Sequence, residues 1–187
     1  MKLRIRELPP DDAQFINNYW AETTQEDLDR LGEVKRPDPK GNIEFINEYC
    51  AKRLPPTKSD EEIVIWMLEE KPIGYCTLKQ IEYGNEAQTH IHLWERKLRG
   101  KGLGSVLFCL SARKYIADFQ LKNLYCQPKH DNPMPNGMLR RVGFECLGTV
   151  DWTHPVNGSI VRQNRYRISL EVIEKFLSSA TQLLSSH

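Results

Sequence analysis

The chain has 187 residues, of which 40% are hydrophobic and 27% are charged, so its composition excludes a disordered or fibrous protein. This length predicts a single domain spanning residues 1–187 and leaves no room for a second full domain. The 26 lysine and arginine residues nearly balance the 25 aspartate and glutamate residues, and the net charge of +1 argues against nucleic acid and membranes as partners.

The first part of the chain predicts one strand and two helices. Leu3 and Ile5 alternate with polar residues, which is the period of a short strand. After a break at two prolines, a pair of aspartates begins a helix over residues 12–21. A polar, proline-containing connection through residues 36–39 leads to a second helix near residues 43–53, which ends before another pair of prolines.

The middle of the chain predicts a group of three strands. Residues 62–68 and 73–78 are rich in β-branched and aromatic residues, and a turn before Pro72 joins them as a hairpin. A second turn at Gly84 precedes residues 89–94, in which alternate side chains point to opposite faces. We therefore expect three neighbouring strands in one sheet.

The second half of the chain alternates helical and strand-like segments. Its apolar residues recur at helical spacing or form short runs between glycine and proline breaks. The predicted segments are, in order, a helix at 102–118, a strand at 121–127, a helix at 133–142, strands at 144–150 and 160–170, and a helical tail from Glu171. Together the elements predict an α/β fold with a mixed, mostly antiparallel central sheet and helices on both of its faces.

The cysteines and the N-terminus indicate the type of protein. Five cysteines are scattered without a Cys-x-x-Cys pair, which argues against a disulfide framework and a zinc site. The N-terminus lacks the apolar core of a secretion signal, and no stretch approaches the roughly 18 apolar residues of a membrane span. We therefore expect a cytoplasmic protein without a metal centre.

The turn at residues 96–104 concentrates four basic residues around three glycines, between a predicted strand and a predicted helix. Glycines let the backbone approach a ligand closely, and the free N–H groups at a helix start attract anions. The turn lacks the lysine and hydroxyl positions of a P-loop, and the spacing of Gly100, Gly102 and Gly104 does not match the dinucleotide fingerprint. We therefore expect the turn to bind phosphate in a different kind of ligand.

The same turn resembles the acyl-CoA-binding motif of the GNAT acetyltransferase superfamily, Arg/Gln-x-x-Gly-x-Gly/Ala, at Arg99, Gly102 and Gly104. Asn132 is followed eleven residues later by Gly143, which resembles the second signature of that superfamily. The order of elements from the first strand to the last is also similar to the GNAT fold. Within the superfamily, the sequence is most similar to the branch of ribosomal-protein N-terminal acetyltransferases and spermidine acetyltransferases.

The resemblance implies a binding site for acetyl-CoA as co-substrate. The amides of residues 99–104 would hold the pyrophosphate, the backbone of residues 93–95 would pair with the pantetheine arm, and Asn132 would contact the cofactor from the other side. The implied cofactor-binding residues are Leu93, Trp94, Glu95, Arg99, Gly100, Lys101, Gly102, Leu103, Gly104 and Asn132.

Two positions depart from the family pattern. Leu139 stands where many members have a tyrosine that protonates the departing thiolate, and Pro135 stands where a small residue is usual. The general acid must then be another group or water, or the protein is not a catalyst.

Two functions therefore stay open. The first is an N-acetyltransferase that moves the acetyl group of acetyl-CoA to a primary amine, on a protein N-terminus, a lysine, a polyamine or another small molecule. The second is a non-catalytic acyl-CoA-binding or interaction module.

Four side chains are candidates for acid–base chemistry: His92, His90, Glu86 and Tyr125. An amine nucleophile must lose a proton, so a base must lie within one water of it. His92 ranks first, because it is nearer the turn than Glu86 and an ordinary histidine pKa of about 6.5 suits neutral pH. Tyr125 is a candidate replacement for the missing acid. The structural alternatives are hydrogen-bonded core histidines, a solvated turn at Glu86 and simple packing of Tyr125.

The resemblance also implies that residues 22–40 and 151–158 border the amine acceptor. Trp152 and acidic groups in these segments suit a cationic amine, although a solvated helical face explains the acids of the first segment equally well. These acids are Glu22, Glu26, Asp27 and Asp29. We therefore predict acetyl-CoA and an amine as partners, and a homodimer stays open.

Overall fold

The computed structural model describes residues 2–35, 39–51 and 54–185, and its centre is a seven-stranded sheet. The strands are β1 (Leu3–Glu7), β2 (Glu61–Leu68), β3 (Lys71–Glu82), β4 (Glu86–Leu93), β5 (Asn123–Cys126), β6 (Glu145–Thr153) and β7 (Ile160–Arg167). The helices are α1 (Ala13–Glu22), α2 (Gln25–Leu31), α3 (Pro39–Ala51), α4 (Leu103–Asp118), α5 (Pro133–Val142) and α6 (Leu170–Ser185). The elements follow the predicted order, with α2 as an addition.

The sheet runs in the order β1-β2-β3-β4-β5-β7-β6, and its neighbouring strands are antiparallel except for the parallel pair β4 and β5. This parallel pairing is short and ends at Thr89 and Cys126. Strand β4 continues to Leu93, so the two strands separate beyond that point. The mixed, mostly antiparallel sheet confirms the predicted fold class, and the split between β4 and β5 positions the candidate site.

Strand β2 is buried on both faces and separates two apolar clusters. Val64 and Trp66 pack in the larger cluster, which includes residues of α4, α5 and α6. Ile63 and Ile65 pack in the smaller cluster with residues of α1 and α3. Because alternate side chains of a strand point to opposite faces, helices cover both sides of the sheet.

Helix α2 lies in a segment for which the sequence predicts no regular structure. The side-chain oxygen of Thr24 begins it by accepting a hydrogen bond from the amide of Asp27 at 3.2 Å. Gly32 ends it in the left-handed conformation, with φ of 75°. The helix has seven residues and buries Leu28 alone, so its apolar periodicity was too short to detect.

The other differences concern the ends of elements. Strand β4 begins at Glu86, three residues before its predicted start, and helix α3 begins at Pro39, four residues early. Strand β7 ends at Arg167 instead of continuing into the segment that forms α6. Residues 36–38 of the predicted connection and residues 52–53 of the predicted second helix lie outside the described residues.

The described ranges contain neither a candidate membrane span nor a candidate metal site. Within them, no helix is both long and apolar enough to cross a membrane. Over the same part of the chain, no group of three or more histidine, cysteine, aspartate or glutamate side chains could hold a metal ion. The five cysteines are free thiols.

Candidate active site

The glycine-rich turn lies between the end of β4 and the start of α4. Gly100 and Gly102 adopt left-handed conformations, with φ of 75° and 79°, which residues with side chains rarely tolerate. The amide of Ser105 is the first in α4 to bond within the helix, donating to the Gly102 carbonyl at 3.1 Å. The amides of Leu103 and Gly104 therefore remain outside the helical ladder, where they can donate to an anion.

This turn forms one wall of a cavity of about 140 Å³, which we term the turn cavity. Its other walls come from α1, α2, β2, the end of β4 and α5. Three arginines line it, namely Arg30, Arg99 and Arg141. Guanidinium groups bind phosphate oxygens through paired hydrogen bonds, so the turn cavity favours a phosphate-bearing ligand.

Asn132 begins α5 and lines the turn cavity. The residue is only 5% exposed, and its Oδ1 atom is buried without a hydrogen-bond partner. Buried polar atoms are nearly always bonded, so this oxygen marks a place for a donor from a bound ligand. The pantetheine arm of an acyl-CoA contains amide N–H groups, which fit this oxygen.

The backbone of β4 faces two different partners near the split. The amide of Trp94 donates to the carbonyl of Ile73 at 3.0 Å, so Trp94 faces β3. Backbone groups alternate in direction along a strand, so those of Ile91 and Leu93 face the split. Both residues line the turn cavity, and Arg99 donates to the Leu93 carbonyl at 3.2 Å. An extended ligand arm can therefore pair with β4 where β5 is absent.

A second cavity of about 340 Å³ adjoins the first, and we term it the aromatic cavity. Aromatic side chains from α1, β3 and β6 form part of its wall, namely Trp20, Tyr75 and Trp152. The residues that line both cavities are Leu31, Ile91, His92, Asn132 and Pro135. The two cavities therefore meet at the split in the sheet.

Charged side chains of both signs line the aromatic cavity. Glu61 pairs with Lys79 at 3.1 Å, and Lys129 pairs at 3.3 Å with a carboxylate outside the cavity. Glu33 lies beside His154, with its Oε2 3.4 Å from Nε2 of the imidazole. Among the described residues, Glu33 forms no ion pair with a lysine or an arginine. Its carboxylate is thus available to a cationic ligand.

His92 lies where the cavities meet and is enclosed by aromatic rings. It stacks on Tyr75, with ring centres 4.7 Å apart and planes inclined by 16°, and it contacts the rings of Tyr19 and Trp20 edge to face. Its Nδ1 lies 3.3 Å from the hydroxyl oxygen of Tyr19. Burial, with smaller contributions from nearby positive charge, lowers the pKa of His92 to about 3.

The expectation that His92 titrates near neutral pH was wrong, because its enclosed ring is costly to charge. The same effect of burial lowers the pKa of His90 to about 4. His90 lines the aromatic cavity but not the turn cavity. Both imidazoles are therefore neutral at physiological pH.

Glu86 and Tyr125 lie outside both cavities. Glu86 begins β4 and pairs with Asn123 of β5, at the end of the strand remote from the glycine-rich turn. The guanidinium group of Arg165 lies over the ring of Tyr125, 3.7 Å from its centre. The structure thus brings the two histidines to the site and leaves the other two candidates away from it.

The predicted cofactor-binding residues divide into two groups. Those that line the turn cavity are Leu93, Arg99, Gly100, Gly102, Gly104 and Asn132. Of the others, Trp94 stacks on Phe15 with ring centres 5.8 Å apart, and Glu95 pairs with two lysines. Lys101 is exposed within the turn, and Leu103 contributes its free amide while its side chain is buried.

Both segments predicted to border the acceptor contribute to the aromatic cavity. Leu31 and Glu33 come from the first segment, and Trp152 and His154 from the second. The acids predicted to attract the amine do not line it; these are Glu22, Glu26, Asp27 and Asp29.

Among the residues that line the turn cavity and that sequence reasoning missed are Tyr19, Arg30 and Arg141. They belong to α1, α2 and α5, respectively. No local motif surrounds them, because the packing of each helix brings them to the cavity. The neighbouring aromatic pair at residues 19–20 was the available signal for α1.

A comparison with known domain families identifies the chain. Residues 2–145 match the model of the acetyltransferase (GNAT) domain. The chain belongs to the GNAT acetyltransferase family. This GNAT protein is accordingly an acetyltransferase that uses acetyl-CoA to acetylate an amine, which decides between the two functions left open by the sequence.

Solved structures share the fold of this GNAT protein over nearly its whole length. The aminoglycoside acetyltransferase AAC(6')-Ib, in complex with coenzyme A, is 17% identical with a TM-score of 0.71, over 93% of this chain and 98% of the other. The spermidine N-acetyltransferase from Vibrio cholerae, in complex with CoA and spermine, is 19% identical with a TM-score of 0.73, over 92% and 98%. At these identities the likeness shows the fold alone. No curated protein matches the GNAT chain significantly.

Proposed function

We propose that this GNAT protein acetylates a small primary amine in the aromatic cavity, with acetyl-CoA held in the turn cavity. The observation that carries the proposal is that the two cavities meet at His92 and Asn132. Acetyl transfer requires the reacting atoms to approach within about 3.5 Å, so the donor and the acceptor must share a junction. The split between β4 and β5 supplies that junction.

The turn cavity fits acetyl-CoA through its positive and donor groups. The amides of Leu103 and Gly104, together with the three arginines of the cavity, would hold the phosphates. The buried Oδ1 of Asn132 would accept an N–H group of the pantetheine arm. When bound, acetyl-CoA supplies an activated thioester carbonyl. The chain's own residues must then orient the amine and move its proton.

The aromatic cavity favours an amine that carries a second positive charge. The Glu33 carboxylate can hold one cationic group, and the indole rings of Trp20 and Trp152 can contact it through their π faces. His154 is 3% exposed, and its Nδ1 accepts a hydrogen bond from the Val156 amide at 3.2 Å. These contacts fix its ring beside the Glu33 carboxylate. Spermine, which the Vibrio cholerae enzyme binds, is an amine of this class.

His92 is the proposed acceptor of the amine proton. It lines both cavities, and its neutral ring keeps a lone pair available because its pKa is about 3. The enclosed ring cannot retain a positive charge at low cost, so an adjacent group must take the proton onward. His90 ranks second as the acceptor because it lines only one of the two cavities, and Glu86 ranks behind it because it lines neither. Tyr125, the candidate acid, also lines neither cavity.

Steady-state release of free CoA with a panel of amines tests the proposed function. The panel contains spermidine, kanamycin and a peptide with a free N-terminus. We expect turnover with a small amine that carries at least two positive charges, and a lower kcat/KM with the peptide. No release of CoA with any amine would overturn the proposed activity, and a preference for the peptide would overturn the proposed class of acceptor.

A pair of glutamate variants tests the acceptor site. Glu33→Gln should raise the KM of the cationic amine roughly tenfold, because a charge-assisted hydrogen bond contributes about 1.5 kcal/mol. Glu26→Gln removes an exposed carboxylate of α2 outside the cavity and should leave the KM unchanged. The Kd of acetyl-CoA should be the same in both variants. An equal KM in the two variants would contradict the role of Glu33.

Three further proposals rest on the sequence. The near-zero net charge supports a protein without nucleic-acid or membrane partners, and we propose a cytoplasmic location. We also propose that residues 1–187 act as one domain, and sedimentation of the full chain distinguishes a monomer from a homodimer.

A further inference from the structure

Acetyl transfer leaves this protein with a proton to deliver. The C–N bond forms as the C–S bond breaks, one proton leaves the nitrogen, and one proton must reach the sulfur. The position at which the family pattern has a proton-donating tyrosine holds Leu139, which is fully buried in the core and has no proton to give. The acid must therefore be another side chain or water.

Tyr19 of α1 lies in a suitable place for this role. It lines the turn cavity beside the glycine-rich turn and does not line the aromatic cavity. Its hydroxyl oxygen is 3.3 Å from Nδ1 of His92, and His92 lines both cavities. The two side chains thus form a continuous polar path from the acceptor side of the junction to the cofactor side.

We propose that Tyr19 is the general acid that protonates the departing sulfur, and that His92 relays to it the proton taken from the amine. This inference rests on the proposed function, because it assigns the aromatic cavity to the amine and the turn cavity to acetyl-CoA.

The relay requires one tautomer of His92. Its Nδ1–H donates to the hydroxyl oxygen of Tyr19, which leaves Nε2 bare as the acceptor. Nε2 takes the proton of the amine, Nδ1 passes its own proton to Tyr19, and the Tyr19 hydroxyl passes its proton to sulfur. One proton enters and one leaves, so both side chains end neutral. His92 then returns to its first tautomer by proton exchange with water.

The electrostatics of the pair favour a relay without charged intermediates on the protein. Burial raises the pKa of Tyr19 to about 12 and lowers that of His92 to about 3, so a tyrosinate or an imidazolium is costly in this place. The charged groups that act on the pKa of Tyr19 are Arg99, Asp27 and Arg30, and His90 and Lys79 act on the pKa of His92. If His92 gains the amine proton as Tyr19 gives its own to the sulfur, neither an imidazolium nor a tyrosinate has to form.

Aromatic contacts hold the pair in position. Tyr19 contacts the rings of Trp20 and Tyr75 edge to face, with ring centres 5.2 and 6.3 Å apart. The indole N–H of Trp20 donates to the Tyr75 hydroxyl at 2.9 Å, which fixes these two rings relative to each other. Loss of the Tyr19 hydroxyl alone should therefore leave the ring in place.

Tyr19→Phe tests the acid with two measurements. With acetyl-CoA as donor, kcat should fall roughly 10²- to 10⁴-fold. With an acetyl thioester of an acidic aryl thiol, kcat should fall much less, because that thiolate departs without a proton. The second measurement needs no acceptor. In the complex with CoA, the ultraviolet absorbance of the thiolate reports the thiol pKa, which should be higher in Tyr19→Phe because the hydrogen bond to sulfur is lost.

The control is Tyr49→Phe. Tyr49 packs against the smaller apolar cluster, as Tyr19 does, but it lines neither cavity. The lost hydroxyl accepts a hydrogen bond from the Ile63 amide at 3.0 Å. We expect the variant to lower Tm without changing kcat or the thiol pKa. An unchanged kcat in Tyr19→Phe, an equal loss with both donors, or an unchanged thiol pKa would overturn the assignment of Tyr19. If the wild-type protein acetylates no amine, the proposed function fails, and the thiol titration still decides whether Tyr19 reaches the sulfur.

Discussion

The carboxylate of Asp27 in α2 accepts a hydrogen bond from the guanidinium group of Arg96, which lies in the turn between β4 and α4. The same carboxylate also pairs with Arg30 of its own helix, which lines the turn cavity. Asp27 therefore connects the segment proposed to border the acceptor with the turn that would hold the phosphates.

The first prediction concerns the pH dependence of this connection. Burial raises the pKa of Asp27, but its hydrogen bond with Arg96 and the charge of Arg30 outweigh burial, and the pKa is lowered overall. The folded chain thus binds this proton less readily than the unfolded chain, so the stabilisation is present above the ordinary pKa of about 4 and is lost as the pH falls through the lower folded value. Asp27→Asn should lower Tm at neutral pH and flatten its decline in acid. A variant with the wild-type Tm profile would contradict this role.

The second prediction concerns Gly102→Glu, which should abolish binding of acetyl-CoA. The new carboxylate would enter the wall that binds phosphate and would repel it. Gly84→Glu is the matched control, because both glycines have positive φ, of 79° and 75°, with open space where a Cβ would stand. Each variant should lose about 1 kcal/mol of stability from backbone strain. Calorimetry should show binding lost in the first variant alone; equal affinities would mean that the phosphate site is misplaced.

The third prediction concerns Trp152→Ala. Trp152 lines the aromatic cavity but not the turn cavity, and its ring contacts His154 edge to face at 5.1 Å. The variant should raise the KM of the amine and leave the Kd of acetyl-CoA unchanged. Leu147→Ala, an exposed position on the same strand, should change neither constant. If Trp152→Ala raises both the KM of the amine and the Kd of acetyl-CoA and also lowers Tm, the residue has a folding role instead.

The fourth prediction concerns His92→Gln. Loss of the proton acceptor should lower kcat roughly 10²- to 10⁴-fold, measured as release of CoA, while acetyl-CoA still binds. Because the pKa of His92 is about 3, the wild-type kcat should show no acidic limb from this group near neutral pH. An unchanged kcat would eliminate His92 and favour His90.

His92 should also affect stability in acid. The unfolded chain takes up this proton near the ordinary pKa of about 6.5, whereas the folded chain resists it until about pH 3, so stability falls as the pH decreases between these values. His92→Gln should reduce that decline, measured as Tm against pH. The lowered pKa of His90 acts in the same direction, so the difference between the variant and the wild type is the informative quantity.

The sequence by itself determined the features that depend on neighbouring residues. The turn was predictable because Gly100 and Gly102 adopt their backbone conformations locally and the free amides at the start of α4 follow from helix geometry. The order of the strands and of the other helices was predictable because apolar periods or short apolar runs stand between glycine and proline breaks. Helix α2 was not, since its cap at Thr24 and its single buried Leu28 are weak local signals.

The tertiary structure alone decided the chemistry of the junction. The packing of α1 against the sheet brings Tyr19 within 3.3 Å of His92 across 73 residues of chain, and no local pattern encodes that distance. The shift in the pKa of His92 has the same origin, because the rings of Tyr75 and Trp20 replace the water that would stabilise its charge. Burial arises only when distant segments pack together. The sequence therefore predicts an ordinary pKa for His92, whereas the fold lowers that pKa and keeps the ring neutral.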